Sequence, residues 1–461
     1  MAVIDVIDPA TEEAFATVPD LGPADAAAAV DRAAVALPAW SATPPRQRAE
    51  ILRRCHQLLM ERADEVAETI TRENGKPLTE SNGEVAYAAE FFRWYSEEAC
   101  RLEGTVMTAP SGGYRIVTLL QPVGVAYLIT PWNFPLAMLT RKVAPALAAG
   151  CTMVAKPAKQ TPLTALLLDR ILREAGVPEG AVETITTSDS AGVTKAVLAD
   201  DRVRKLSFTG STEVGRVLLQ QAAERIVNCS MELGGNAPLI VFADSDLDVA
   251  VEGAMAAKLR HNAETCTAAN RFYVEASIAD AFAQRLAQRM RGLRLGPGLE
   301  PGTELGPLID AAGLEKVERL VQAGVDAGAD LVTGGGRPDG FERGFFFEPT
   351  VLTGVTPDSP VLAEEQFGPV AAIVPFEGEE RAIALANDTV HGLAAYVFTG
   401  DLARGLRVAE ALETGMVGVN RGVISDPAAP FGGVKQSGIG REGGHEGVRA
   451  FCETKYVSVS W

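Results

Sequence analysis

The spacing of apolar residues divides the first hundred positions into predicted helices. The segment 23–40 is rich in alanine, and the segment 51–70 carries apolar residues at intervals of three and four, the repeat of an amphipathic helix. Residues 104–121 differ, because β-branched residues flank the Ser-Gly-Gly at 111–113, which is the pattern of a β-hairpin. The sequence therefore predicts a helical start followed by a short antiparallel element.

Short apolar runs then alternate with helical stretches. Between residues 122 and about 250 the runs are VGVAYLIT, CTMVAK, VETITT and KLSFTG, with helical segments such as 164–176 and 212–224 between them. A second stretch from 235 to about 440 repeats this rhythm with NRFYVE, GPVAAIVPF, LAAYVFTG and MVGVN. Such alternation is typical of parallel sheets with crossover helices, so the predicted fold class is α/β.

The last eight residues, TKYVSVSW, alternate valine with serine and predict a strand with no local partner. Two arrangements are open at this point. The strand completes a sheet on a partner subunit, or it pairs at a sheet edge within its own chain.

Composition narrows the function classes. The 461 residues carry a formal net charge of -18, which disfavours nucleic acid and anionic membrane surfaces as partners. The first residues lack the basic and apolar regions of a secretory signal, and no window reaches the ~18 apolar residues of a spanning helix. A cytoplasmic protein is therefore expected. The six cysteines lie at least 37 residues apart and the four histidines are scattered, so no metal site is expected.

Several polar residues follow predicted strands, where open α/β sheets bind ligands. Gly210 and Ser211 lie between a strand and a helix that contains Gly215, and the N–H groups of a helix start attract anions. Lys156 and Lys159 follow another strand and could contact a phosphate or ribose; the alternative is that they are solvated. Asn133, in TPWNFP, could donate to an oxyanion or could cap the next helix.

Glu232 and Cys266 are the candidates for proton transfer and nucleophilic attack. Glu232 lies in an apolar stretch before two glycines, where burial would raise the pKa of its carboxyl and suit it to act as a general base. A Cys266 thiolate could attack an electrophilic carbon. Taken singly, an exposed glutamate and a buried core cysteine remain alternatives.

Six motifs together resemble the NAD(P)-dependent aldehyde dehydrogenase superfamily over the whole chain. They are PWNFP, FTGSTEVGR, MELGGNAP, the segment around Cys266, EEQFGPV and PFGGVKQSGIGREGG, in the family's order and spacing. The resemblance implies a Rossmann-type cofactor-binding domain (1–103 and 122–233), an α/β catalytic domain (234–443) and a small β oligomerisation element (104–121 and 444–461). It also implies a homodimer or homotetramer.

The resemblance further implies a mechanism. Cys266 attacks the aldehyde, Asn133 and the Cys266 backbone N–H hold the oxyanion, and Glu232 activates the water that hydrolyses the thioester. No metal is required. The residues implied to contact NAD or NADP are Thr130, Pro131, Trp132, Lys156, Lys159, Gly210, Ser211, Gly215, Leu233, Glu365 and Phe367.

Within the family the chain is most similar to the succinate-semialdehyde dehydrogenases. In those enzymes two arginines and a serine hold the substrate carboxylate, and the matching residues here are Arg141, Arg260 and Ser425. Two guanidinium groups beside a buried site favour an anionic substrate. The alternatives are that one arginine belongs to a structural ion pair, or that the substrate is glutarate semialdehyde or an uncharged aliphatic aldehyde.

The chain departs from the family pattern in two places. The family's Asn-x-Gly-Gln before the cysteine is replaced by residues 261–264, His-Asn-Ala-Glu, which places a carboxyl near the nucleophile. NAD-preferring relatives tend to have a glutamate where this chain has Lys159. Two lysines would attract a 2′-phosphate, so NADP is expected to serve at least as well as NAD.

Overall fold

The computed structural model describes residues 2–460; Met1 and Trp461, the outer residues of the predicted terminal segments, lie outside the described residues. An antiparallel hairpin and four helices form the first hundred residues. The elements are β1 (Val3–Asp8), β2 (Glu13–Pro19), α1 (Pro23–Ala42), α2 (Pro45–Glu61), α3 (Ala63–Asn74) and α4 (Leu78–Glu98).

The hairpin corrects the expectation that the first hundred residues are all helical. Its first strand, VIDVID, repeats two apolar residues and one aspartate, so it lacks the two-residue alternation by which a half-buried strand is recognised. Val6 and Val18 alone of the two strands' side chains are buried. This hairpin is therefore a surface element with a weak sequence pattern.

A six-stranded sheet follows, with strand order β17-β9-β8-β5-β6-β7. All its strands are parallel except the short β17, which pairs antiparallel with β9. Its elements are β5 (Val125–Ile129), α5 (Ala137–Ala149), β6 (Thr152–Lys156), α6 (Pro162–Ala175), β7 (Val182–Thr184), α7 (Ser190–Leu198), β8 (Val203–Thr209), α8 (Thr212–Ala223), β9 (Asn228–Glu232) and β17 (Gly438–Ile439). Every residue of β5 and β6 is buried, as expected for parallel strands covered on both faces.

A seven-stranded sheet with order β12-β13-β14-β11-β10-β15-β16 forms the second α/β unit, and only β12 is antiparallel. Its elements are β10 (Ala237–Val241), α9 (Leu247–Leu259), β11 (Ala269–Glu275), α10 (Ala279–Arg291), α11 (Ala311–Asp326), β12 (Asp330–Thr333), β13 (Thr350–Thr353), α12 (Pro360–Ala363), β14 (Val370–Phe376), α13 (Glu379–Asn387), β15 (Ala394–Phe398), α14 (Leu402–Ala411) and β16 (Met416–Val419). The α/β fold class expected from the sequence is thus confirmed.

A separate three-stranded antiparallel sheet contains β3 (Val106–Thr108), β4 (Arg115–Pro122) and β18 (Cys452–Val459), which follows the short helix α15 (Gly444–Arg449). The strand β18 pairs with β4 along its full length, from Cys452 opposite Pro122 to Val459 opposite Arg115. Of the two arrangements open for the terminal strand, the structure shows pairing within its own chain.

The connections between strands and helices bring the candidate residues together. Strand β9 ends at Glu232, and the link to β10 runs directly into the seven-stranded sheet. A turn after α9 leads to Cys266 before β11 begins. The site therefore lies where the two sheets meet, as is usual for open α/β folds. Within residues 2–460, no helix combines the length and apolar character needed to cross a membrane.

Candidate active site at the junction of the two sheets

Two adjoining cavities form the candidate site, the first between the two sheets and the second at the edge of the six-stranded sheet. The first encloses about 1070 Å³ and is lined by Asn133, Cys266 and Glu365 among others. The second encloses about 1130 Å³ and is lined by Lys156 and Lys159 among others. They share five lining residues: Pro131, Trp132, Thr209, Gly210 and Ser211. Together they form one long cleft with the cysteine in one part and the two lysines in the other.

Asn133 lies in the loop between β5 and α5, and this loop is held by Glu84 of α4 and by Lys76, which precedes α4. The buried Lys76 ammonium donates to the Asn133 carbonyl at 2.6 Å. The Asn133 side-chain amide donates to the Glu264 carbonyl at 2.8 Å. An amide has two N–H donors, so a second donor remains for a ligand. Asn133 does not cap α5, because Glu84 Oε1 accepts the N–H groups of Leu136 and Ala137 instead.

A strained turn precedes Cys266. His261, Asn262 and Ala263 all have positive φ angles, 51°, 57° and 63°. For residues other than glycine this conformation costs about 1–2 kcal/mol each. Bonds from other elements hold the turn: the Glu80 carboxylate accepts the His261 N–H, and Asn262 donates to the Pro307 carbonyl at 2.8 Å. The nucleophile is thus placed by tertiary contacts that outweigh the local preference of the chain.

The Cys266 thiol is weakly acidic in this state. Burial raises its pKa to about 12, although the nearby positive charge of Arg141 acts in the opposite direction. The neighbouring carboxyl of Glu264 is buried and accepts the Ile309 N–H at 3.0 Å. Burial also holds the pKa of Glu264 well above its usual range, so this departure from the family pattern adds a neutral group near the thiol.

Glu232 ends β9 as a buried carboxyl, and among the described residues neither of its oxygens has a hydrogen-bond partner. Burial and the nearby Glu442 raise its pKa well above the usual range, against the opposing charges of Lys142, Arg141 and Arg441. A desolvated carboxyl with unpartnered oxygens can take a proton from water.

The three predicted carboxylate-binding residues share one region. The Arg141 guanidinium stacks on the Phe431 ring at 4.0 Å from its centroid, and Arg141 Nη1 has no hydrogen-bond partner within residues 2–460. Both Arg141 and Arg260 act electrostatically on the hydroxyl of Tyr87, which also interacts with Ser425. Arg141 does pair with a carboxylate: its Nε lies 3.3 Å from Glu442 Oε2. One arginine therefore has an ion-pair partner in the protein, as the alternative anticipated.

Glu365 and Phe367 lie in the first cavity with Trp132, whose ring meets the Phe367 ring edge-on at 5.4 Å. Glu365 Oε1 accepts the Gly235 N–H at 3.3 Å, and burial raises the pKa of Glu365 to about 7. Leu233 also lines this cavity. These residues lie close enough to contact one ligand.

The second cavity presents polar atoms without partners. Three buried side-chain atoms there have no hydrogen-bond partner among the described residues: the hydroxyls of Thr130 and Thr209 and the side-chain amide oxygen of Gln221. Lys156 Nζ lies 3.3 Å from Ser190 Oγ, and burial lowers the pKa of Lys156 to about 8. Lys159 is exposed at the cavity edge. Unsatisfied hydroxyls and cations in a long cleft fit a dinucleotide rich in hydroxyl and phosphate groups.

Two of the residues implied to contact the cofactor have structural roles in the protein. Ser211 Oγ accepts the Val214 N–H and caps α8, although the residue also lines both cavities. Gly215 lies inside α8, where an added Cβ would come within 2.5 Å of Leu233 Cδ2. Its role in the structure is to let the helix pack closely on the sheet.

Sequence reasoning missed the charged residues behind the site. Glu442 accepts from Lys142, and Lys76 pairs with Glu84 at 2.7 Å with both side chains fully buried. The sequence does contain one indication for Lys142. It lies next to Arg141 in the otherwise largely apolar helix α5, where two adjacent charges predict buried partners of opposite charge. Within residues 2–460, no group of three or more His, Cys, Asp or Glu side chains could hold a metal ion.

The long cleft, with the buried Cys266 thiol and the electrostatic influence of the buried Glu232 carboxyl on it, fits a dehydrogenase that forms a covalent intermediate on cysteine. The model of the aldehyde dehydrogenase family matches residues 2–457, and the chain belongs to this family. The expected family and the expected aldehyde dehydrogenase activity are thereby confirmed.

Relatives of known name are similar over almost the whole chain. A succinate-semialdehyde dehydrogenase of Paenarthrobacter nicotinovorans is 52% identical, covering 95% of this chain and 96% of its own. A glutarate-semialdehyde dehydrogenase of Pseudomonas putida is 48% identical (99% and 94%). A succinate-semialdehyde dehydrogenase of Escherichia coli, named for NADP(+), is 49% identical (99% and 94%).

Solved structures of aldehyde dehydrogenases are also similar over almost the whole chain. A succinate-semialdehyde dehydrogenase from Burkholderia pseudomallei has a TM-score of 0.98 at 49% identity, covering 100% of this chain and 95% of its own. A betaine aldehyde dehydrogenase from Staphylococcus aureus in complex with NAD+ has a TM-score of 0.96 at 35% identity (99% and 91%).

Proposed function

We propose that the chain oxidises succinate semialdehyde to succinate with NADP or NAD. The observation that carries this proposal is the pair of arginines, Arg141 and Arg260, which both act on Tyr87 in the neighbourhood of Cys266. Arg141 already has Glu442 as an ion-pair partner, whereas the half-buried Arg260 has none within residues 2–460, so an anionic group of the substrate would compensate the remaining positive charge. A substrate with a carboxylate at the end away from its aldehyde supplies that anion. The similarity to two succinate-semialdehyde dehydrogenases supports the proposal.

In the first half-reaction the Cys266 thiol releases its proton to solvent, the thiolate sulfur attacks the aldehyde carbon, and the carbonyl oxygen becomes an oxyanion. The free N–H of the Asn133 amide and the backbone N–H of Cys266 are the donors that stabilise it. A bound nicotinamide cofactor supplies the hydride acceptor. Trp132, Glu365 and Phe367 are proposed to hold the nicotinamide end, and the acyl group stays on Cys266 as a thioester.

In the second half-reaction Glu232 takes a proton from a water molecule, and the resulting hydroxide attacks the thioester. The raised pKa of Glu232 suits this step, because a carboxylate with a high pKa is the stronger base. The products are succinate and the Cys266 thiol. Burial and the charge of Glu442 raise the pKa of Glu232, and the charge of Lys142 lowers it.

For the cofactor, we propose that NADP serves at least as well as NAD. Lys156, held by Ser190, and Lys159 at the cavity edge would both approach a 2′-phosphate on the adenine ribose. The decisive variant is Lys159→Glu. It should lower kcat/KM for NADP by about tenfold or more and change kcat/KM for NAD little; equal losses with both cofactors would contradict the assignment.

The test of the substrate compares initial rates with succinate semialdehyde and butanal. Both have four carbons, and only one carries a carboxylate. The expected result is a preference for the semialdehyde of about 10²-fold or more in kcat/KM, because charge-assisted bonds contribute about 1.5–3 kcal/mol each. The variants Arg141→Met and Arg260→Met should remove that preference. Equal rates for the two aldehydes in the wild type would refute the proposal.

Glutarate semialdehyde is the second candidate, favoured by the 48% identical relative of that name. Its kcat/KM should be measured in the same assay, since it differs from succinate semialdehyde by one additional methylene. A higher kcat/KM with the five-carbon substrate would reassign the substrate and leave the two arginines in place.

We further propose that the chain forms a homodimer or homotetramer through the sheet of β3, β4 and β18. This sheet exposes apolar side chains, including Val106, Met107, Leu119 and Tyr456. Light scattering after size-exclusion chromatography should give two or four times the mass of the 48.6 kDa chain, whereas a monomer would refute the proposal.

A further inference from the structure

A buried lysine is hydrogen-bonded to the loop that carries Glu365 and Phe367. Lys258, in the last turn of α9, is 0% exposed and donates to two neutral oxygens, Asn270 Oδ1 at 3.0 Å and Gln366 Oε1 at 3.1 Å. Among the described residues, no carboxylate lies within ion-pair distance of its ammonium group. A lysine buried without such a partner is costly to desolvate, so its presence here calls for a physical reason.

Gln366 connects this lysine to the first cavity. Its buried side-chain amide donates to the Asn270 carbonyl at 3.1 Å and to the Val361 carbonyl at 3.0 Å, while its oxygen accepts from Lys258. Both N–H groups and the oxygen of this side chain are therefore engaged with buried groups. Its chain neighbours on either side both line the first cavity. A change at Lys258 is thus transmitted to the cavity through a single residue.

The two cavity-lining residues of this loop have little local support. Phe367 has a φ angle of 54°, a conformation that residues with a Cβ adopt only at a cost. Among the described residues, the Glu365 side chain has one hydrogen bond, a long one in which Oε1 accepts the Gly235 N–H at 3.3 Å. The positions of both residues therefore depend on contacts that hold the loop from behind, and Gln366 makes those contacts.

We propose that Lys258 is a positioning residue for the cofactor: through Gln366 it fixes the loop that brings Glu365 and Phe367 to the nicotinamide end of the dinucleotide. The inference rests on the proposed function in taking Glu365 and Phe367 as the residues that hold this end. It does not depend on which cofactor is preferred, because NAD and NADP differ only at the adenine ribose. Lys258 acts indirectly, since it is fully buried and lines neither cavity.

The chain offers a matched control in Lys205. This lysine is also buried and also donates to two neutral side-chain oxygens, Asn228 Oδ1 at 2.7 Å and Ser230 Oγ at 2.6 Å. It lies in the first half of β8 and lines neither cavity. Replacement of either lysine by methionine removes the same groups from a buried position, so loss of stability should be similar. Only Lys258→Met should alter the cofactor site.

The experiment measures the Kd of NAD, NADP and ADP by titration calorimetry. ADP has the adenine end and lacks the nicotinamide and its ribose. Lys258→Met should raise the Kd of NAD and of NADP by about tenfold, as for loss of one charge-assisted hydrogen bond, and change that of ADP by less than about twofold. Lys205→Met should leave all three within about twofold. An unchanged Kd for NAD in Lys258→Met, an equal loss with ADP, or an equal loss in Lys205→Met overturns the inference.

Gln366→Met keeps the test decisive if Lys258→Met does not fold. It should also weaken NAD about tenfold and spare ADP, and an unchanged Kd for NAD overturns the inference. If both single variants fold, the double variant should bind NAD no more weakly than the weaker of the two, because the two residues act as one unit. Losses that multiply in the double variant also overturn the inference.

The variants Glu365→Ala and Phe367→Ala separate this inference from the proposed function. Both should raise the Kd of NAD and spare ADP. If neither raises the Kd of NAD, the placement of the nicotinamide end is wrong and the role of Lys258 falls with it. If both raise it while Lys258→Met does not, the placement stands and only the role of Lys258 is overturned.

Discussion

Lys76 joins the two loops that carry the oxyanion donor and the nucleophile. Its ammonium bonds to Glu84 at 2.7 Å, to the Asn133 carbonyl at 2.6 Å and to His261 Nδ1 at 2.9 Å. A lysine only donates, so the His261 ring accepts through Nδ1 and is neutral. Burial and the charges of Lys76 and Arg260 accordingly hold the pKa of His261 well below its usual range.

The perturbation is Lys76→Met, which keeps the length of the side chain and removes its charge. The Lys76 and Glu84 side chains are both 0% exposed, and leaving one charge of a buried pair alone costs about 3–5 kcal/mol. Glu84 keeps its bonds from the Leu136 and Ala137 N–H groups, so we expect the lower end, about 3 kcal/mol. The Asn133 loop also loses its tether, and a displacement of about 1 Å lowers kcat by about 10²-fold.

The matched control is Arg48→Met. Arg48 is also a buried cation, but it donates to the carbonyls of Ser41, Thr43 and Ala148, away from the cleft. Three carbonyls left unpaired cost about 1 kcal/mol each, a similar loss of stability. Urea unfolding and kcat at saturating substrates are measured on the same preparations. If kcat falls no further in Lys76→Met than in Arg48→Met, the reasoning that Lys76 positions Asn133 is refuted.

Three further predictions concern titration and the covalent intermediate. Glu232→Gln should lower turnover by about 10²–10⁴-fold and let the acyl-enzyme accumulate, which intact-protein mass spectrometry detects as added acyl mass; no added mass would contradict the role of Glu232. Because the pKa of Cys266 is about 12, its alkylation by iodoacetamide should rise about tenfold per pH unit from pH 7 to 9, and a plateau near pH 7 would contradict this. Burial raises the pKa of Glu73 to about 8, so its protonated form favours folding and this contribution is lost as pH rises from about 4.5 to about 8. Wild-type stability should therefore fall over that range relative to Glu73→Gln, and parallel curves would contradict the assignment.

The sequence predicts the parts of the site that local motifs encode. Asn133 follows β5, Glu232 ends β9 and Cys266 follows the turn after α9. Asn133 and Cys266 line the same cavity, and Glu232 is close enough to act electrostatically on Cys266. Lys156 is likewise found at the end of a fully buried strand. Asn133, Lys156 and Glu232 are predictable because the carboxyl ends of parallel strands meet at one edge of a sheet, whereas Cys266 precedes β11 and was indicated by the motif around it.

Contacts between distant segments are not predictable in this way. Glu442 and Lys142 are 300 residues apart, and no pattern near either residue indicates the other. The local sequence likewise allowed Asn133 to cap α5. In the structure Glu84, which is distant in the sequence, accepts the first N–H groups of this helix instead. The spacing between Gly210 and Gly215 suggested that Gly215 contacts a ligand. In the structure, a side chain at this position would collide with Leu233, which accounts for the presence of a glycine.

The pairing of β18 with β4 has a consequence for biosynthesis. Residues 115–122 leave the ribosome more than 300 residues before their partner strand does, and Lys142 precedes Glu442 by 300 residues. An incomplete nascent chain therefore already contains Cys266 and Glu232 but lacks the carboxylate between Arg141 and Lys142 and the strand that closes the small sheet. The two buried cations therefore lack this carboxylate until translation has passed Glu442, so we expect the site to be completed late in synthesis.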